Sequence, residues 1–260
     1  MVSRSQAKLI RKLKSRKRRE QELAFLVEGV RLVEELLSAD WDVEFAVTAP
    51  VLSETPRGQQ LIKAVDEKGW TRAEVSDGEL KELADTETPQ GILAVAHRPL
   101  HRLAEFEPPA RAALLVFDRV ADPGNLGTLL RAAEALGVAW TVALPGTVDP
   151  WNPKAARASA GSLFRLPVSQ ESWPEVVTWL REREFTIFCA DSSGDPVGRI
   201  GDPPGRFALV LGNEPSGLSE EVRHEGDWLV AVPLPGGMDS LNVAIAGALL
   251  LDRLLAGPAA

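Results

Sequence analysis

The segment that most constrains how this chain can fold lies near its C-terminus. Trp228 to Val232 is a short apolar run, which predicts a buried strand. The prolines and glycines of Pro233 to Gly237 break both strand and helix, so the chain must form a loop there. From Ser240 to Leu255 the sequence is apolar on nearly every side. That pattern predicts a helix buried in a core or an interface.

This loop has two interpretations. It exposes backbone N–H and C=O groups at the start of a helix, whose first turn Asp239 or Ser240 can cap. A corner of this kind can bind a polar ligand through its main chain. The alternative is a tight strand-to-helix turn that closes an α/β domain. The segment alone leaves both interpretations open.

Composition excludes several classes of protein. A chain of 260 residues allows one large or two modest domains, and 45% hydrophobic residues suffice for a core. No apolar run is long enough for a membrane span. Cys189 is the single cysteine, which excludes an internal disulfide and is typical of a cytoplasmic protein. Its apolar neighbours predict a buried structural thiol. The three histidines show no ligand spacing, so we expect no metal site.

The net charge of −8 conceals an asymmetry. Arg4 to Arg19 contains nine Lys and Arg residues and no acidic residue, while the rest of the chain has 20 basic and 37 acidic residues. Leu9, Ile10 and Leu13 lie among these cations, which predicts a basic amphipathic helix. We expect this N-terminal arm to contact phosphates. The alternative is a solvated helical face.

The order of apolar runs predicts two α/β domains. Residues 1–98 alternate strands and helices in a small unit, and the proline-rich residues 99–110 read as a linker. Residues 111–260 then begin with the strongly apolar run Ala112 to Phe117. Apolar strands that alternate with helices indicate a mainly parallel sheet covered on both faces. Asp191 to Gly205, rich in Gly, Pro and Asp, is predicted to be a loop.

Two further motifs follow predicted strands. In the first, which spans Asp118 to Arg131, Asn125 can cap the helix and Arg131 lies on the same helical face as Gly127. In the second, Leu211 to Ser219, Glu214 lies at the carboxyl edge of the sheet, where ligands usually bind. Neither motif is a dinucleotide fingerprint or a phosphate-binding loop. The alternative for the first motif is a capped crossover turn. The alternative for Glu214 is a charge favoured by the dipole at a helix N-terminus.

Taken together and in this order, the three motifs resemble those of the SpoU (TrmH) family of RNA ribose 2′-O-methyltransferases, within the SPOUT superfamily. The resemblance covers about residues 111–256 and includes the segment 152–167. Phe25 to Glu35 and Asp85 to Ile92 resemble, more loosely, the family's RNA substrate-binding domain.

The resemblance implies an α/β fold with two parts. The C-terminal SPOUT domain is expected to have a parallel sheet and a trefoil knot. The N-terminal domain is expected to be a small α/β, ribosomal-protein-like unit that binds substrate. The resemblance also implies a homodimer through the C-terminal domain, S-adenosylmethionine as cofactor, and RNA as substrate, with ribosomal RNA ahead of tRNA. The cofactor is expected to contact four residues: Gly212, Val232, Leu234 and Leu241.

The implied catalytic cluster is polar and consists of Asn125, Arg131, Glu214, Ser240 and Asn242. The resemblance makes Arg131 a general base. A guanidinium is a very poor base, however, so Arg131 can instead clamp a phosphate while the proton leaves to phosphate or water. A catalytically silent RNA-binding protein on the same scaffold is the alternative function. A nicotinamide-dependent enzyme is disfavoured because the glycine fingerprint is missing.

Overall fold

The computed structural model describes residues 2–201 and 204–256. Its contacts divide the chain into two compact units. The first contains the chain up to Pro99 together with Trp151–Arg165, and the second contains Leu100–Pro150 and the chain from Leu166 onward. The last four residues of the predicted second domain, 257–260, lie outside the described residues, as do 202–203 of the predicted loop.

The first unit combines helices with short strands. Its elements are α1 (Arg4–Leu13), α2 (Arg16–Glu22), β1 (Ala24–Glu28), α3 (Val30–Ser38), β2 (Val43–Thr48), α4 (Pro56–Glu67), β3 (Arg72–Glu74), α5 (Asp77–Leu83), β4 (Ile92–His97) and, from the inserted segment, α7 (Pro153–Ala158). Two 3₁₀ helices, Pro50–Glu54 and Ser162–Phe164, also belong to it.

A mixed four-stranded sheet forms the centre of the first unit. Its strand order is β1-β4-β2-β3, with β4 antiparallel to both neighbours and β2 parallel to β3. Helix α1 begins with a capping box, because Ser3 Oγ accepts from Gln6 N and Gln6 Oε1 accepts from Ser3 N. The helix buries Ile10 and Leu13 against the sheet. The predicted amphipathic helix therefore forms, although it ends at Leu13 and a second helix, α2, follows.

One cation of the N-terminal arm is a structural residue. Arg19 is only 2% exposed, and its Nη1 donates to the carbonyl oxygens of Leu13 and Lys14 at 2.8 and 3.0 Å. These carbonyls end α1, so a guanidinium satisfies acceptors that the helix leaves free. The arm is consequently not a uniformly solvent-exposed run of cations.

The segment 151–165 packs within the first unit, whereas the sequence predicts it as part of the second domain. Trp151 and Phe164 form an aromatic cluster with Phe25 and Trp41, with ring centroids 5.1 Å apart for Phe25–Trp151 and 5.2 Å for Trp41–Phe164. The indole Nε1 of Trp41 also donates to Phe164 O at 3.1 Å. Burial of these large rings explains why the segment packs in the first unit, although in the sequence it lies between two parts of the second unit.

The second unit contains a larger sheet whose strands are all parallel. Its helices and strands are β5 (Ala112–Phe117), α6 (Pro123–Ala135), β6 (Trp140–Ala143), β7 (Val168–Gln170), α8 (Trp173–Glu182), β8 (Thr186–Pro196), β9 (Arg206–Leu211), α9 (Glu220–Glu225), β10 (Trp228–Ala231) and α10 (Val243–Ala256). The strand order is β10-β8-β9-β5-β6-β7, which confirms the predicted parallel α/β sheet.

The strand order creates a crevice at one edge of this sheet. The chain runs from β5 outward to β6 and β7, and its later strands lie on the other side of β5. The direction of winding therefore changes between β5 and β9. The connections after such neighbouring strands lead away in opposite directions and leave room between them, which makes this edge the usual place for a ligand.

Two stretches of the second unit differ from their prediction as loop or linker. Leu103 and Phe106, in the predicted linker, pack on the core of this unit, where Phe106 stacks on Trp140 at 5.1 Å. Strand β8 continues to Pro196 instead of ending before Asp191. Gly194 permits this extension, because a Cβ there would lie 2.5 Å from the carbonyl carbon of Leu229 on β10.

Helix α10 is packed tightly against the sheet. It begins at Val243, later than the predicted start at Ser240. A Cβ at Gly247 would lie 2.6 Å from side-chain atoms of both Leu129 and Leu211, so the glycine allows close approach to α6 and β9. No helix in the described parts of the chain is both long and apolar enough to cross a membrane.

Candidate active site

Hydrogen bonds join the three sequence motifs at the carboxyl edge of the parallel sheet. Asn125, which follows β5, donates from Nδ2 to Glu214 Oε1 at 2.8 Å. Asn242, which follows β10, donates from its own Nδ2 to Asn125 Oδ1 at 2.9 Å. Three of the five predicted catalytic residues thus form one chain of contacts, which joins the first turn of α6 to the loops after β9 and β10.

Helix capping determines which side chains are free to make these contacts. Asp122 caps α6 by accepting from Asn125 N at 3.0 Å, so the prediction that Asn125 is the cap is wrong. The reason is that Pro123 occupies the first helical position, which puts the cap at Asp122. Asn242 caps α10, since its Oδ1 accepts from Ala244 N at 2.9 Å, and this replaces the predicted cap at Asp239 or Ser240.

The Glu214 carboxylate is held in its ionised form. Partial burial raises the pKa of Glu214, but hydrogen bonds from the Asn125 amide and from backbone N–H groups, including that of Ala121 at 3.3 Å, outweigh this effect. The net result is a pKa below the ordinary value for a glutamate. Glu214 therefore presents a negative charge at this edge throughout the neutral pH range.

Two residues outside the predicted site hold its loops in position. Asp118 is 3% exposed and accepts from Ser219 N at 2.5 Å, which ties the end of β5 to the loop after β9. Asn213 donates from Nδ2 to Arg119 O at 2.7 Å and connects the same two loops. The sequence signal for both is their position, since each lies directly or almost directly after an apolar strand.

A cavity of about 970 Å³ adjoins the hydrogen-bonded residues. Its walls include the four residues predicted to contact a cofactor: Gly212, Val232, Leu234 and Leu241. Three predicted catalytic residues also line it: Glu214, Ser240 and Asn242. A volume of this size is within the range for small-molecule sites, which is roughly 300–1,000 Å³.

The loop that forms one wall of this cavity has few internal hydrogen bonds. Among the described residues, the backbone of 233–241 makes one such bond, from Gly237 N to Leu234 O at 3.4 Å. Its remaining N–H and C=O groups are available to a ligand or to water. Gly212 also lines the cavity, and a Cβ there would lie 2.5 Å from the backbone of Gly217 and Leu218. Glycine lets this loop fold back over the strand end.

Arg131 stands apart from the cluster. It is exposed on α6 and does not line the cavity. No hydrogen bond or ion pair to another described residue holds its guanidinium. Asn125 does not line the cavity either, but its hydrogen bonds connect it to residues that do. The structure therefore gathers four of the five predicted catalytic residues and leaves Arg131 free.

Fold and site together define an α/β protein with a small-molecule cavity at the carboxyl edge of a parallel sheet. Residues 112–252 match the SpoU rRNA Methylase family, and residues 4–94 match the MRM3-like substrate binding domain. The chain belongs to the SpoU rRNA methylase family, as its three motifs indicate.

Relatives with named activities span nearly the entire chain. The 23S rRNA (guanosine(2553)-2′-O)-methyltransferase RlmP of Bacillus subtilis is 37% identical, over 94% of this chain and 93% of its own length. The 23S rRNA (uridine(2479)-2′-O)-methyltransferase of Streptomyces viridochromogenes is 32% identical, over 92% of this chain and 85% of its own.

Solved structures of methyltransferases are also similar to this chain over nearly its entire length. An rRNA methyltransferase from Sinorhizobium meliloti with bound AdoMet has a TM-score of 0.84 at 28% identity, over 96% of this chain and 95% of that one. The SpoU methyltransferase AviRb from Streptomyces viridochromogenes, in complex with AdoMet, has a TM-score of 0.83 at 28% identity, over 96% and 97%.

Proposed function

We propose that this protein transfers a methyl group from S-adenosylmethionine to a ribose 2′-hydroxyl of ribosomal RNA. The observation that carries the proposal is the chain of hydrogen bonds from Glu214 through Asn125 to Asn242, beside a cavity of about 970 Å³. The two curated relatives methylate 23S rRNA at different nucleotides, one a guanosine and one a uridine, so the family relationship supports the substrate class and not a particular position.

The cavity suits S-adenosylmethionine in chemistry as well as size. This cofactor carries positive charge on its sulfonium and ammonium groups, and the acidic residues Glu214 and Asp239 line the cavity. Asp191 also lines it, but its carboxylate is paired with Arg223. Val232, Leu234 and Leu241 offer apolar side chains and main-chain groups for the adenosine portion. When bound, the cofactor supplies an electrophilic methyl group.

The protein's own residues orient the nucleophile and stabilise charge. The ionised Glu214, fixed by Asn125, provides negative potential beside the cavity. Ser240 and Asn242 are polar groups on the cavity wall that can hydrogen-bond to the ribose. The exposed guanidinium of Arg131 is free to bind a phosphate next to the reacting nucleotide in two-pronged fashion, and the hydroxyl proton leaves to that phosphate or to water. A guanidinium stays protonated in proteins, so we favour this role over that of general base.

We further infer a homodimer through the second unit. Met238, Ile245 and Leu249 are large apolar side chains with exposures of 68, 54 and 45%. Ile245 and Leu249 are one helical turn apart on α10, so they share a face. A second copy of the chain would cover these side chains, and sedimentation equilibrium tests this assembly. The proposal also includes a trefoil knot in the second unit and a cytoplasmic location.

Binding and transfer can be tested separately. Calorimetric titration with S-adenosylmethionine in the presence of a chelator should give one site per chain, whereas NAD should not bind. Incubation with 23S rRNA from a strain that lacks the enzyme should then transfer label from methyl-labelled cofactor to the RNA. Binding without transfer to RNA would favour the catalytically silent scaffold instead.

A further inference from the structure

The exposed face of α1 carries three cations at helical spacing. Arg4, Lys8 and Arg11 are all exposed, and they follow one another at intervals of four and three residues. Residues at these intervals lie on one face of a helix. The opposite face buries Ile10 and Leu13 in the core of the first unit. We call Arg4, Lys8 and Arg11 the α1 cationic face.

The other cations of the arm have different environments. Five of the remaining six bond to groups within the protein: Lys12 to Glu22, Lys14 to the carbonyl of Ala84, Arg16 to Glu20, Arg18 to Gln21, and Arg19 to the carbonyls that end α1. The sixth, Lys17, lies on α2. Among the described residues, none is an ion-pair partner of Arg4, Lys8 or Arg11. The α1 cationic face is thus a row of three exposed and electrostatically uncompensated charges.

This arrangement is unfavourable for the isolated protein. Like charges four residues apart on a helix repel each other, and a cation in the first turn opposes the helix dipole. The first turn of α1 contains no acidic residue to offset Arg4. The remainder of the chain is strongly acidic, with 37 acidic residues in total, and so repels polyanions from most of its surface. A polyanion would relieve the repulsion within the face and release counterions there.

We propose that the α1 cationic face binds the phosphate backbone of the RNA substrate, an inference that rests on the proposed function. At about 1.5 Å per residue, the face extends roughly 10 Å along the helix axis, enough for neighbouring phosphates of one strand. Residues 2–23 contain no Phe, Trp or Tyr, so α1 and α2 offer no ring on which a base could stack. The contact is therefore to phosphate and independent of sequence, and it sets affinity without choosing the nucleotide.

A pair of matched variants tests this inference. The triple variant Arg4→Gln, Lys8→Gln, Arg11→Gln removes three charges from the face. The control Lys12→Gln, Arg16→Gln, Arg18→Gln removes two charges that are paired with carboxylates and one that bonds to the neutral amide of Gln21. Binding to 23S rRNA from a strain lacking the enzyme is measured across a range of salt concentrations. The slope of log affinity against log salt should fall by about 2 to 3 in the face variant, at roughly 0.7–0.9 per phosphate contact, and by less than about 1 in the control.

Further measurements distinguish phosphate binding by this face from a general effect of net charge. Circular dichroism checks that both variants stay folded, and S-adenosylmethionine affinity should be unchanged in both. Equal losses of slope would mean that only net charge matters, and an unchanged slope would make the face a solvated surface; either result overturns the inference. A larger effect on binding to phosphatidylserine vesicles than to RNA would also overturn it. If the wild-type protein binds RNA through this face but methylates none, the inference stands and the proposed function fails.

Discussion

The side-chain amide of Asn125 lies 2.8 Å from the carboxylate of Glu214 and donates to it, although the two residues are 89 positions apart in the chain. They follow β5 and β9, which are adjacent strands of the parallel sheet. Asn242 donates to Asn125 in turn and adds the loop after β10. The position of the site is therefore a consequence of sheet topology: the segments that follow β5, β9 and β10 meet because these strands end at one edge.

A double-mutant cycle measures this contact. Asn125→Ala and Glu214→Ala should each destabilise the protein, and the double variant should lose less than the sum, with a coupling of about 0.5–1.5 kcal/mol, as for a hydrogen bond near the surface. Urea denaturation gives the free energies of unfolding. Thr128→Ala on the exposed side of α6 is the control and should not couple to Glu214→Ala. Strict additivity of the two site variants would show that the hydrogen bond contributes nothing.

Arg131 is predicted to act on the substrate and not on the fold. Arg131→Ala should leave stability and S-adenosylmethionine affinity unchanged, because the side chain is exposed and lies away from the cavity. Single-turnover methylation should be lost, and Arg131→Lys should also fail, since lysine lacks the planar fork. Thr128→Ala on the same helix serves as the control. Wild-type turnover in Arg131→Ala would make the arginine an ordinary surface residue.

Trp151 is predicted to stabilise the first unit. Its side chain is 2% exposed and lies against Phe25 and Trp41, so Trp151→Ala should cost about 3–5 kcal/mol in the free energy of unfolding. Trp151→Phe should cost less, because it keeps a ring in the cluster. Denaturation monitored by fluorescence and circular dichroism gives these values. An unchanged stability in Trp151→Ala would contradict the assignment of residues 151–165 to the first unit.

Cys189 is predicted to be unreactive in the native protein. Burial raises the pKa of its thiol to about 12, so almost no thiolate forms near neutral pH. A disulfide reagent should label Cys189 rapidly in denaturant and far more slowly without it. A moderate rise in pH above neutral should produce little thiolate in the folded protein. Labelling of the native protein should therefore remain limited by the rate of unfolding. Fast stoichiometric labelling of the folded protein would show that the thiol is accessible.

The sequence predicts the architecture of the fold more accurately than it predicts the local contacts within it. Apolar runs locate the parallel strands, and the motifs after them locate the carboxyl edge, because both follow from periodicity and chain order. The pattern places the caps at Asn125 and at Asp239 or Ser240, yet Asp122 and Asn242 fill these roles. A shift of a few residues in a helix start changes which side chain is the cap, and sequence patterns do not resolve such shifts.

Long-range packing is the second feature that the sequence does not predict. Nothing in the local pattern of residues 151–165 shows that their aromatic side chains pack on Phe25 and Trp41, more than 100 positions away. Similarly, Arg19 reads as one more exposed cation, but it is buried because the carbonyls at the end of α1 need a donor. Both features depend on which surfaces the fold brings together.

The chemical position of the transferred methyl group tests the proposed activity most directly. Purified protein is incubated with methyl-labelled S-adenosylmethionine and 23S rRNA from a strain lacking the enzyme, and the RNA is then hydrolysed in alkali. Alkaline cleavage requires a free 2′-hydroxyl, so a 2′-O-methyl group protects its own linkage. We predict that the label is recovered in an alkali-stable dinucleotide. Label recovered in mononucleotides would place the methyl group on a base and contradict ribose methylation.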